Sequence, residues 1–143
     1  MAAPHPVFTA IVPTVRRQLP AGLKFRFPSS LPSDSLHPYI YQHEGKFFVN
    51  LSSSSGCNSI QSCSTVGGIG VARGSISQSR GGNTVSLGNG ITGYYMLDPG
   101  KTHNIQWEQD EQRYIVILNA RVYGRQSAVN MAKSTIHERP IGG

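Results

Sequence analysis

The chain has 143 residues, 38% of them hydrophobic and only 14% charged, with 16 glycines and 9 prolines. That length suits one domain with room for a real core, and no run approaches the roughly 18 apolar residues a membrane-spanning helix needs. The formal charge is +6, yet the basic residues are scattered from Arg16 to Arg139 with no dense run. This argues against the clustered basic stripe of a nucleic-acid binder and leaves a diffuse attraction for anionic partners such as envelope polymers or lipid headgroups.

Low charge combined with abundant Ser, Asn, Gln and Gly favours a periplasmic or secreted β protein. The opening MAAPHPVFTAIVP lacks the basic start and long apolar stretch of a signal peptide. Any export signal is therefore expected to have been removed ahead of it.

Residues 1–22 carry Pro4, Pro6, Pro13 and Pro20. Prolines at that density predict an extended N-terminal arm with at most one short helical turn near residues 14–19. Residues 23–27 alternate apolar and basic, which predicts a half-buried strand with Leu23, Phe25 and Phe27 inward and Lys24 and Arg26 outward. Pro28 closes it, and residues 29–34 form a turn-rich loop. Residues 39–51 read as a hairpin turning at His43-Glu44-Gly45-Lys46, with Phe47, Val49 and Leu51 on one face. A polar loop follows, Ser52 through Ser55 and on to Cys63. Residues 67–87 are poor in large side chains; Ile69 and Val71 start a strand, and Ile76, Val85 and Leu87 supply one or two more. Gly88-Asn89-Gly90 turns into a strand over residues 91–97, which stops at Asp98-Pro99-Gly100.

Residues 103–122 are the centre of the pattern. A turn at Asp110 and Glu111 sets Trp107, the only tryptophan, opposite Tyr114 and sets Ile105 opposite Val116, cross-strand pairs of the kind that stabilise an antiparallel sheet. Tyr114, Val116 and Leu118 fall on one face of the second strand and Ile115 and Ile117 on the other, which predicts a central strand. A helix over residues 126–136, with Ala128, Met131, Ala132 and Thr135 at helical spacing, is the predicted cover for the second face. The sum is an α+β fold, a curved antiparallel β-sheet with a C-terminal helix packed on one face. Residues 23–137 form the single domain, and residues 138–143 a tail.

Chemistry is sparse in this pattern. Cys57 and Cys63 suit a local disulfide in an oxidising compartment, worth roughly 2 to 2.5 kcal/mol for so small a loop; a metal site, a redox pair and two unconnected thiols are the alternatives. The histidines His5, His37, His43, His103 and His137 form no ligand spacing, and Glu108, Asp110 and Glu111 cluster at a hairpin tip where solvent would keep their pKa values ordinary. Gly67-Gly68-Ile69-Gly70 lacks the Lys-Ser/Thr of a phosphate cradle. No catalytic residue, metal site or cofactor is predicted. Tyr94 and Tyr95, adjacent on a strand, point to opposite faces. With Trp107 and Met131 they are the candidate ligand-binding side chains, core packing being the competing use.

Gly93-Tyr94-Tyr95, Ile105-Gln106-Trp107-Glu108, Tyr114-Ile115-Val116 and Ala132-Lys133-Ser134 resemble the pattern of an envelope-domain family of unknown function. Its members are parts of secreted lipoproteins and of anti-sigma-type membrane proteins. The stretch from Leu23 to Pro32 is similar to that family's opening segment, and the likeness spans residues 23–136. It departs at the cysteine loop and the glycine-rich middle. The resemblance implies half of a lipoprotein-carrier-like fold, an extracytoplasmic location and no catalytic residues. The expected function is a non-enzymatic binding or sensing module for an apolar or anionic envelope ligand. The rivals are a structural module assembling through a sheet edge and an envelope hydrolase. Ligand, partner protein and oligomeric state are open, and nucleic acid is not an expected partner.

Overall fold

A computed structural model of the chain describes residues 4–55, 65–76, 83–99 and 101–142. Cys57 and Cys63, and with them the expected disulfide, lie outside the described residues.

Two of the N-terminal prolines start helices in a segment expected to be extended apart from one short turn near residues 14–19. Pro6 opens a 3-10 turn, Pro6–Phe8, and Pro13 sits in the first turn of α1, Val12–Gln18. A proline is tolerated there because the amide it lacks would have no helical partner. The segment read as an extended arm is thus folded, and Phe8 and Val15 are fully buried in the main core. The next segment follows its alternation: Leu23, Phe25 and Phe27 are buried. Only Lys24–Phe25 (β1) is hydrogen-bonded as a strand, and its partner is β9, Ile141–Gly142, in the expected tail.

Seven strands form one open antiparallel sheet: β2 (His37–His43), β3 (Lys46–Ser52), β4 (Thr65–Ala72), β5 (Asn83–Gly88), β6 (Ile91–Asp98), β7 (Thr102–Gln109) and β8 (Gln112–Asn119). Their order across the sheet is β2-β3-β4-β8-β7-β6-β5. Two meanders, β2 to β4 and β5 to β8, therefore meet at the central β4–β8 pair, where Ile69 faces Val116. Three of the hairpin turns place both central residues at positive φ: Glu44 and Gly45, Asn89 and Gly90, Asp110 and Glu111. That left-handed pair matches the twist of the flanking strands. The last turn fixes the register read from sequence, Trp107 opposite Tyr114 and Ile105 opposite Val116.

One face of the sheet carries Phe47, Val49, Leu51, Ile69, Val71, Ile105, Trp107, Tyr114, Val116 and Leu118, all fully buried. Two covers share it. The N-terminal segment brings Phe25 against Phe47, ring centroids 5.9 Å apart, and Phe8 against Phe27 at 5.0 Å. Helix α2, Arg125–Ile136, lies over β5, β7 and β8 and buries Ala128, Met131, Ala132 and Ile136. The helix thus covers the Tyr114 face. It does not cover the face of Ile115 and Ile117, for which it was expected, because strand register puts those residues on the opposite side with Gly70 and Gly68.

Candidate functional site

The four side chains chosen from sequence do not form one site. Trp107 is fully buried, stacked on Tyr114 with centroids 5.5 Å apart, and its indole Nε1 donates to Gln109 Oε1 at 3.0 Å. Met131 is buried under the same core. The cleft between helix and sheet is filled at the place where an apolar ligand was expected. Tyr95 shares that face but lies half-buried at its margin. Its hydroxyl is 2.7 Å from His103 Nδ1, and the Arg125 guanidinium stands 4.4 Å from its ring centre. Tyr94 points from the other face.

The histidines also separate. His5 meets Asp34 at 2.9 Å and His43 meets Glu44 at 3.6 Å, each pair with a solvent-exposed carboxylate. His103 is buried between Tyr95 and the Tyr123 carbonyl, 2.9 Å from its Nε2. Among the described residues, no three of His, Cys, Asp and Glu come together to hold a metal. Asp110 is not a solvated tip residue, because Arg26 reaches it; that pair is structural and is taken up below.

The unusual chemistry lies on the face opposite the helices. Register defines two rows of side chains crossing the sheet there. One runs Tyr41, Phe48, Gly70, Ile115, Gln106, Tyr94; the next runs Tyr39, Asn50, Gly68, Ile117, Asn104, Met96. The glycines let their neighbours lie flat. A Cβ at Gly70 would stand 2.4 Å from Phe48 Cδ1, and one at Gly68 would stand 2.6 Å from Asn50 Oδ1. Phe48 and Asn50 fold over β4, and on this face, which no helix among the described residues covers, Asn50, Gln106 and Ile115 are buried.

Two of these buried groups are amides with half their hydrogen bonding unmet. Asn50 Nδ2 donates to the Tyr39 hydroxyl at 3.3 Å, which leaves the Tyr39 proton for Thr65 Oγ1 at 2.6 Å. Gln106 Nε2 donates to Asn104 Oδ1 at 3.2 Å, and Asn104 Nδ2 to Asp98 Oδ2 at 3.4 Å. Both amides spend their donors inside the protein, while Asn50 Oδ1 and Gln106 Oε1 are buried with no partner, as is Arg113 Nε on the same face. A buried acceptor left so costs about 1 to 3 kcal/mol, and such groups are uncommon in native folds.

Toward the Thr65 end of this face opens a recess of about 140 Å³ lined by Thr65, Val66, Gly67, Thr102, Ile117 and Asn119. The bulge where β4 skips Val66 in its pairing with β3 helps to make it. Neither amide lines it: Asn50 pairs with Gly68, the chain neighbour of Gly67, and Gln106 donates to Asn104, the partner of Ile117. The recess is below the roughly 300 Å³ at which pockets for whole small molecules begin, so it fits one group of a larger ligand. None of Asn50, Asn104 and Gln106 was a candidate in the sequence, where the alternation of Phe47, Val49 and Leu51 decides only which side chains share a face. The available signal was Gly67-Gly68-Ile69-Gly70, whose missing side chains mark a close approach by neighbours.

No protein-family model, curated protein or solved structure compared with the chain matches it.

Proposed function

We propose that the chain is a non-enzymatic binding module that holds a neutral, polyhydroxylated ligand, a stretch of saccharide being the simplest kind, on the sheet face opposite its helices. The observation that carries this reading is the pair of buried, partnerless acceptors, Asn50 Oδ1 and Gln106 Oε1, on the face that also holds a small recess lined in part by Thr65, Thr102 and Asn119. Acceptors ask for donors, and sugar hydroxyls supply them. Tyr41 and Tyr94 stand at the two ends of the Gln106 row, where an aromatic ring offers an apolar body with a polar tip. The apolar-ligand form of the reading is disfavoured because Trp107 and Met131 fill the helix–sheet interface. The face offers amides and hydroxyls in place of a nucleophile with its base, which favours binding over hydrolysis. Low charge and high Ser, Asn and Gly content support an extracytoplasmic setting.

Calorimetric titration with neutral oligosaccharides of several linkages tests the proposal. At least one should bind, and Asn50→Leu or Gln106→Leu should weaken it roughly tenfold or more, the value of a hydrogen bond to an otherwise unpaired group. Binding unaffected by both substitutions would refute it.

A further inference from the structure

We propose that the end of the sheet formed by the β6–β7 turn and the β8–α2 loop docks on an anionic lipid surface. The two segments are tied into one tip. Lys101 N donates to the Asp98 carbonyl and Ala120 N to the Lys101 carbonyl, both at 2.8 Å. His103, the cross-strand partner of Leu97, reaches the Tyr123 carbonyl of the following loop.

The tip displays what the rest of the surface largely hides. Leu97 is 54% exposed and Val122 55%, well above Tyr94, the other exposed large hydrophobic residue described. Lys101 and Arg121 are exposed on the same two segments, and Arg125 at the start of α2. The acid among them is Asp98, whose Oδ2 accepts from Asn104. Three cations therefore rim an apolar pair against one carboxylate, in a chain whose net charge is already +6. A membrane interface stacks an anionic layer on an apolar one, and this tip carries the complement of both: apolar side chains to enter the acyl boundary and long cationic ones to meet lipid phosphates.

Co-sedimentation with vesicles at low salt tests this, comparing phosphatidylcholine alone with phosphatidylcholine mixed with phosphatidylglycerol. The wild-type chain should sediment with the mixed vesicles and far less with the neutral ones. Arg121→Glu should weaken that partition roughly 5- to 30-fold, from the effect of each basic residue near such a surface. Leu97→Ser and Val122→Ser, in separate segments of the chain, should each weaken it roughly tenfold. Lys46→Glu, which makes the same change in net charge in the β2–β3 turn at the opposite end of the sheet, should leave it within about twofold. Equal binding to both vesicles, no binding to either, or equal loss with Lys46→Glu would overturn the proposal. So would a lipid-free dimer dispersed by Leu97→Ser and Val122→Ser, which would assign the tip to a second copy of the chain.

Discussion

Arg26 and Asp110, 84 residues apart, form a two-point ion pair, Nε to Oδ2 and Nη2 to Oδ1, each at 2.8 Å. Asp110 Oδ2 also accepts from the Tyr114 hydroxyl at 2.6 Å. The third guanidinium nitrogen donates to the carbonyls of Ile136, at 3.2 Å, and Glu138. One arginine thereby fastens the β7–β8 turn to the segment after β1 and to the end of α2. Beside it, Gln109 Nε2 donates to the Ile136 carbonyl at 3.1 Å, and the Gln112 amide accepts from Lys24 N and donates to Lys24 O. Burial would raise the Asp110 carboxyl, but the hydrogen bonds from Arg26 and then Tyr114 outweigh it and hold the group below the usual carboxylate range. Burial, reinforced by Asp110, pushes the Tyr114 hydroxyl far above its ordinary value.

Asp110→Ala should therefore cost about 3 kcal/mol, the range for removing one partner of a largely buried pair, measured by urea unfolding. The pH dependence has a definite sign. A depressed carboxyl stabilises the fold above its unfolded-state pKa, and that stability is lost as pH falls through the folded-state value. Asp110→Asn should flatten this acid limb. An unchanged limb would show that another carboxylate governs it.

Glu138 should slope the other way. It is 2% exposed with Oε2 unpaired, and burial raises its carboxyl. A raised carboxyl gives stability that is full below the unfolded-state pKa and falls as pH rises through the folded-state value. Glu138→Gln should then stabilise the protein at neutral pH by roughly 1 kcal/mol, read as a higher unfolding midpoint, and should have little effect in acid.

Glu111 holds a φ of 59° in the turn beside Asp110, a conformation that costs a residue with a Cβ about 1 kcal/mol and glycine nothing. Glu111→Gly should raise stability by about that amount in urea titrations without altering the Trp107 environment.

The β4 glycines separate two kinds of crowding. An added Cβ at Gly67 would meet the Ile117 carbonyl oxygen at 2.5 Å, which is backbone in the central strand pair. At Gly70 it would meet the Phe48 ring, a side chain able to swing. Gly67→Ala should cost several kcal/mol or prevent folding, and Gly70→Ala about 1 to 3 kcal/mol. Gly70→Ala should also displace Phe48 from its place over β4, visible as a shift of its ring resonances.

What was legible in the sequence was whatever a local rule decides. The β7–β8 register followed from a two-residue turn, the burial of Phe25 and Phe27 from strict alternation, and α2 from helical spacing. What escaped depends on segments far apart in the chain. Alternation put Arg26 outward, and its side chain does leave the core, but it finds Asp110 before it finds solvent. Of the prolines read as helix breakers, Pro6 and Pro13 lie in first turns, where the missing amide costs nothing. The burial of Asn50 and Gln106 was not legible, because it depends on the insertion of β4 between β3 and β8, with glycines for Phe48 and Asn50 to lie on.

The most direct test of the binding reading is a nitrogen-15 NMR titration with the tightest neutral oligosaccharide found, following the side-chain amides of Asn50, Asn104 and Gln106 beside the indole of Trp107. The proposed site predicts saturable shifts of all three amides with the indole unmoved, because ligand hydroxyls donate to Asn50 Oδ1 and Gln106 Oε1 while the core stays closed. Still amides with a moving indole would contradict it and place the ligand between helix and sheet.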